Sequence, residues 1–283
     1  MGHVILKNLL FGELNWRRFW LSLLLIYTFF ALYVYFRADS MIFMPQPATY
    51  RDSEEILKIP VNDAENISAV YLPNSRATFT ILYIHGNAED LGDIRPVLER
   101  LHRWGFSVFA YDYRGYGTSD GNPGETNAYQ DAGAAFKYLN KELGIPSEKI
   151  IPYGRSVGGG SATELAASHS VGGLILESTF TSAFRVAVPF PLLPFDKFPN
   201  LDRIRNVRCP VIVLHGGNDM IIPIQHGKTL FAKAPEPKMS LWIAEAGHND
   251  FTWEAGDEHQ KALSEFQELV KAHQQKRTSS AAE

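Results

Sequence analysis

Ile150-Ile151-Pro152-Tyr153-Gly154-Arg155-Ser156-Val157-Gly158-Gly159-Gly160-Ser161-Ala162 passes from bulky apolar residues to small ones within a few positions. That change predicts a strand, a sharp turn and a helix in succession. A serine at the apex of such a turn takes a strained backbone conformation, and glycine on both sides lets strand and helix approach without a side-chain clash. The strain holds the hydroxyl out at the sheet edge. The backbone N–H of Val157 then falls at a helix N-terminus, where a spare donor and the helix dipole can stabilise an oxyanion. Taken alone, the Gly-x-Ser-x-Gly pentapeptide also occurs in ordinary loops. Its strand and helix context makes Ser156 the candidate nucleophile.

A serine hydroxyl is a weak nucleophile at neutral pH, so the reading demands a general base and a group that orients it. Pro210-Val211-Ile212-Val213-Leu214-His215 reads as a buried strand that runs into Gly216-Gly217-Asn218-Asp219. A second run, Met239-Ser240-Leu241-Trp242-Ile243, leads into Glu245-Ala246-Gly247-His248-Asn249-Asp250. Asp219 and His248 therefore fall on successive strand-end loops, as orienting acid and base. Singly, the Asp suits a glycine-rich turn and the His a solvated loop; together, in the order Ser156, Asp219, His248, they suit one sheet edge. Asp250 is the competing acid, but it lies too close to His248 in sequence for easy geometry.

Another strand, Phe79-Thr80-Ile81-Leu82-Tyr83-Ile84, precedes His85-Gly86-Asn87-Ala88-Glu89-Asp90. The Asn87 backbone N–H is the expected second oxyanion donor beside that of Val157, with the Asn87 side chain shaping the loop. His85 and His215 are expected to be structural. Glu89 and Asp90 lack clustered partners at metal-ligand spacing and read as solvated loop acids.

His85-Gly86-Asn87-Ala88, Tyr111-Asp112-Tyr113-Arg114-Gly115-Tyr116-Gly117, the serine turn, His215 to Asp219 and Gly247-His248 together resemble the α/β-hydrolase superfamily. Phe195-Asp196-Lys197-Phe198-Pro199-Asn200 and Gly247-His248-Asn249-Asp250 sharpen the resemblance to a small-cap subgroup that includes membrane-associated acyl-protein thioesterases, the protein depalmitoylases. It extends over residues 55–273 and implies the same triad and oxyanion hole, with Asp112 and Arg114 supporting the turn beside the site. Those depalmitoylases attach to membranes through a lipidated N-terminal cysteine cluster. Here the only cysteine is Cys209, so attachment must differ.

From Phe19 to Phe36 the chain carries no charge, and Arg17-Arg18 and Arg37 bracket the run. A bilayer-spanning helix needs about 20 apolar residues, and Trp16, Trp20, Tyr33 and Tyr35 supply interfacial aromatics. A cleaved signal peptide fits less well, because Tyr33, Tyr35 and Phe36 crowd the place of small cleavage-site residues. Lys7, Arg17 and Arg18 outnumber the single Arg37 after the span, which puts the remainder on the non-cytoplasmic side. Met1-Gly2 invites myristoylation, but Leu6 stands where Ser or Thr is favoured.

The expected organisation is a flank (1–18), a transmembrane signal anchor (19–36), a linker (37–54), one hydrolase domain (55–273) and a disordered tail (274–283). Alternating strands and helices predict a mostly parallel central sheet flanked by helices, with helices over Asp93–Trp104, Glu125–Leu143 and Asp257–His273. The proline-broken apolar stretch Val186 to Phe195 reads as a short cap over the site, or as simple packing. With 27 Lys and Arg against 31 Asp and Glu, the chain is mildly acidic and its basic residues are scattered, so no nucleic-acid footprint is present. One cysteine allows no internal disulfide.

The expected activity is that of a membrane-anchored serine hydrolase cleaving carboxylic esters or thioesters of lipid-like acyl groups through an acyl-enzyme, with no metal or cofactor. Protein depalmitoylation is the first alternative. Peptide hydrolysis follows, without an accessory domain to select peptides, and a noncatalytic binding module comes last.

Overall fold

The computed structural model describes residues 16–280. Residues 1–15 of the expected flank, with Met1-Gly2 and Lys7, and residues 281–283 of the expected tail lie outside them. Contacts divide the chain after Met41. Among the described residues, the first unit holds helix α1, Trp16–Ile42, without its last residue. This 27-residue helix extends past both ends of the uncharged run and is long and apolar enough to cross a membrane.

The strands of the second unit are β1 (Leu57–Pro60), β2 (Asn66–Leu72), β3 (Thr80–Ile84), β4 (Ser107–Tyr111), β5 (Ile150–Arg155), β6 (Leu174–Glu177), β7 (Val211–Gly216) and β8 (Lys238–Ile243). They form one sheet in the order β1-β2-β4-β3-β5-β6-β7-β8. The pairs β1–β2 and β2–β4 are antiparallel, and every pair from β4 to β8 is parallel. Parallel strands covered on both faces read as continuous apolar runs, and all residues of β3 and β4 are buried. Along β3, Ile81 and Tyr83 enter one core layer while Leu82 and Ile84 enter the other, following the two-residue period of a strand.

Between strands lie α2 (Leu91–Arg103), α3 (Glu125–Lys137), α4 (Gly158–Ser168), the short α5 (Ala183–Ala187) and α6 (Asn200–Arg203), and α7 (Gln225–Lys233). After β8 come α8 (Phe251–Glu254) and α9 (Gly256–Ser280). This is the α/β-hydrolase fold. Asp90, expected to be a solvated loop acid, is buried and caps α2: its Oδ1 accepts from Gly92 and Asp93 N–H at 2.9 and 3.2 Å, and Asp93 accepts in return from Asp90 N–H at 3.3 Å. A carboxylate there satisfies donors the first turn leaves open.

Both ends of the expected hydrolase domain move outward. The linker expected over 37–54 begins inside α1, and Phe43 is buried against Tyr113, Tyr116 and Phe198. Thr49 N–H donates to Asp90 at 2.7 Å and Tyr50 OH to Asp112 at 2.5 Å, so this segment packs as part of the domain. At the other end, α9 continues through residues 274–280 of the expected tail; Gln274 Nε2 donates to the Glu148 carbonyl at 2.7 Å.

Candidate active site

The carboxyl ends of β3, β5, β7 and β8 share one sheet edge because the strands run parallel, which is where α/β sheets build their sites. Beyond β5 the chain turns at Ser156, whose φ is +53°. A Cβ on Gly158 would lie 2.1 Å from the Ile84 carbonyl oxygen, and one on Gly154 would lie 2.6 Å from the Gly158 carbonyl oxygen. Only hydrogen fits at either position. Two contacts fix the strained turn: Ser156 N–H donates to the Glu177 carbonyl at 2.9 Å, and Thr179 Oγ1 donates to the Ser156 carbonyl at 2.6 Å.

The structure brings the three expected side chains together. Ser156 Oγ lies 3.0 Å from His248 Nε2, and His248 Nδ1 lies 2.8 Å from Asp219 Oδ2. All three residues are buried or nearly so. Asp219 Oδ1 also accepts from the N–H groups of Ile221 and Ile222 at 3.0 and 2.7 Å. Burial pushes the Asp219 carboxyl up, but hydrogen bonding to His215, His248 and the Ile222 amide more than offsets this and holds it well below the ordinary carboxylate range. Asp250 serves the loop backbone, accepting from Gly247 N–H at 2.6 Å.

Asn87 and Val157 line the same cleft as Ser156 and His248. The Asn87 side chain ties the loop to the chain before the sheet: its Nδ2 donates to the Ile42 carbonyl at 2.6 Å, and its Oδ1 accepts from Met44 N–H and Tyr116 OH at 2.9 and 2.6 Å. His85 is buried, with Nδ1 2.7 Å from the Gly86 carbonyl oxygen and Nε2 3.3 Å from Asp112. Burial lowers its pKa, but Asp112 overrides that and the net shift is upward. His215 Nε2 lies 2.8 Å from the Ile222 carbonyl oxygen and 3.3 Å from Asp219. Arg114 holds the neighbouring turn through Asp131 and Glu65 at 2.7 and 2.9 Å.

Residues 75–195 match the family described as serine aminopeptidase, S33. Alpha/beta hydrolase domain-containing protein 17B of Homo sapiens is 38% identical over 226 residues, 78% of this chain and 78% of its own length.

The chain belongs to the family of alpha/beta hydrolase domain-containing protein 17B.

Another relative, alpha/beta hydrolase domain-containing protein aho-3 of Caenorhabditis elegans, is 43% identical over 185 residues, which are 63% of this chain and 54% of the worm protein. The fold extends to solved structures: an esterase of Pyrococcus furiosus superposes with a TM-score of 0.67 at 19% identity, over 80% of this chain and 99% of that one. A monoacylglycerol lipase of Paleococcus ferrophilus gives 0.58 at 21% identity, over 73% and 99%.

Two acids that looked solvated belong to the site's framework. Besides the Asp90 cap, Glu89 accepts from Gly86 N–H at 2.6 Å and pairs with Arg155 Nη1 at 2.6 Å. Arg155 Nη2 donates to the His248 carbonyl at 3.2 Å and to Asn249 Oδ1 at 2.9 Å, and Arg155 Nε lies 3.4 Å from buried Glu177. One guanidinium thereby connects the Asn87 loop, the serine turn and the His248 loop. No local pattern announces it, because Glu89 and Asn249 lie 66 and 94 residues from Arg155.

Proposed function

We propose that the chain is a membrane-anchored serine hydrolase that cleaves esters or thioesters of lipid-like acyl groups through an acyl-enzyme, with Ser156, His248 and Asp219 as its triad. The coarse class stands on family and fold: the chain is a serine hydrolase acting on ester bonds. The observation that carries the finer reading is the continuous Ser156–His248–Asp219 hydrogen-bond relay, with Ser156 on its strained turn in the cleft wall.

In this reading Ser156 Oγ attacks the acyl carbonyl while His248 Nε2 takes its proton. The tetrahedral oxyanion is held by the backbone N–H groups of Asn87 and Val157. His248 returns the proton to the leaving alcohol or thiol, and the acyl group stays on Ser156. Water, deprotonated by His248, attacks the acyl-enzyme and releases the carboxylic acid, and Ser156 regains its proton. Asp219 keeps the imidazole oriented and offsets its transient positive charge.

The cleft has a volume of about 360 Å³, and Ile42, Met44, Phe180, Val186 and Ile222 give it apolar walls. Such walls suit an acyl chain. α1 supports attachment to a membrane, and the excess of basic residues before its apolar run supports a catalytic unit on the non-cytoplasmic side. Protein depalmitoylation is the second reading, favoured by the resemblance to the acyl-protein thioesterase subgroup. The deciding experiment labels the purified protein and Ser156→Ala with a fluorophosphonate, reads intact mass, and follows hydrolysis of short- and long-chain esters and thioesters. Labelling and turnover that vanish in Ser156→Ala are expected; retained turnover refutes the assignment.

A further inference from the structure

The peptide between Gly86 and Asn87 is held at its carbonyl and open at its amide. The carbonyl oxygen lies 2.7 Å from His85 Nδ1, and a carbonyl only accepts, so that nitrogen carries the proton. C=O and N–H of one trans peptide point in opposite directions, so the Asn87 N–H is turned away from buried His85. Among the described residues this N–H donates to nothing. A Cβ built on Gly86 would lie 3.3 Å from Ser156 Cβ, which puts the peptide beside the candidate nucleophile.

The next residue makes the loop hard to hold. Ala88 has φ of +56°, a left-handed conformation that a residue with a Cβ adopts only where its surroundings impose it. The imposing group is the Asn87 side chain. Its Oδ1 accepts from Ala88 N–H at 3.0 Å, Met44 N–H at 2.9 Å and Tyr116 OH at 2.6 Å, and its Nδ2 donates to the Ile42 carbonyl at 2.6 Å. Tyr116 closes the ring, because its oxygen accepts from the same Met44 N–H at 3.0 Å. An amide engaged in this way at both ends acts on the backbone that carries it.

Ile42 and Met44 come from outside the stretch that carries the rest of the site. They precede the first strand at Leu57, and the family match begins only at residue 75. Both also line the cleft.

We propose that Asn87 and Tyr116 are positioning residues, and that through them the segment Ile42–Met44 sets the aim of the Asn87 backbone N–H at the oxyanion. The proposal rests on the reading of Ser156 as nucleophile and of that N–H as an oxyanion donor. Replacing Asn87 with alanine keeps the N–H and removes only what orients it. One oxyanion donor is worth about 10²–10³ in kcat, and a donor that is present but unaimed forfeits part of that. The ground-state ester gains little from the same donor, which leaves KM almost unmoved.

The experiment uses the full chain and a water-soluble butyrate ester, with active sites counted by fluorophosphonate labelling taken to completion. Asn87→Ala is expected to lower kcat per labelled site about tenfold or more, with KM within about threefold of the parent. Its affinity for a trifluoromethyl ketone, whose hemiketal oxygen mimics the oxyanion, is expected to fall by the same factor as kcat/KM. Tyr116→Phe removes one donor to Asn87 Oδ1. It is expected to lose about threefold or more alone and nothing further in the Asn87→Ala background, where its acceptor is already gone. Asn87→Ala turnover per site within about twofold of the parent, a rise in KM in place of a fall in kcat, or losses that add in the double variant each overturn the proposal. A loss confined to the labelled fraction, as misfolding gives, overturns it as well. A parent that neither labels nor turns over sinks the proposed function and this proposal with it; an active parent with an unaffected Asn87→Ala sinks this proposal alone.

Discussion

Asp219 has more partners than the orientation of one imidazole requires: two backbone amides, His248 and His215 all converge on its carboxylate. The group is therefore fixed as an anion, and His248 Nδ1 meets an acceptor that cannot rotate away. Asp219→Asn is expected to lower kcat by roughly 10³–10⁴-fold, because the amide favours the wrong imidazole tautomer. Asp250→Asn, which alters a loop contact, is expected to stay within about threefold; parallel ester assays on both variants check the pair. The convergence of Ser156, Asp219 and His248 at one sheet edge was legible in the sequence because each follows an apolar run that had to be a strand, and parallel strands deliver their loops to one edge. Glu89 and Asp90 were not. Nothing near them in sequence reveals the Arg155 guanidinium or the amides of α2 that remove them from solvent.

Among the elements, α2 shows how a cap carries more than its own helix. Asp90 accepts from two first-turn amides and also from Thr49 N–H, joining the segment before the sheet to the loop that bears Asn87. Asp90→Ala is expected to cost about 1–2 kcal/mol of stability, read as a lower urea midpoint with an unchanged slope. Strand positions were legible because buried parallel strands leave long apolar runs, whereas helix ends were less so. The stretch from Gln274 to Ser280 has a polar composition that suggests a tail, yet it contains neither glycine nor proline to stop α9. Phe43 read as linker because it stands between α1 and Pro45, and its three aromatic neighbours come from positions 113, 116 and 198.

For the molecule as a whole, pH and the membrane provide the tests. Burial, reinforced by Arg100, lowers the pKa of His259 from 6.5 to about 3. Between those values the unfolded chain binds a proton there that the folded chain refuses, so the His259 contribution to stability falls as pH drops from 6.5 toward 3. His259→Gln is expected to flatten that part of the profile, measured as the difference between variant and parent in urea unfolding at neutral and mildly acidic pH. Deletion of residues 1–40, which spares Phe43, is expected to move the protein from the carbonate-resistant membrane fraction to the soluble one. α1 ends at Ile42 and Phe43 is already in the core, so in sequence no linker separates the apolar helix from the hydrolase unit. With α1 spanning a membrane, as proposed, encounters with a lipid substrate would become a search in two dimensions, and turnover is expected to follow the mole fraction of substrate in the surface rather than its amount per litre.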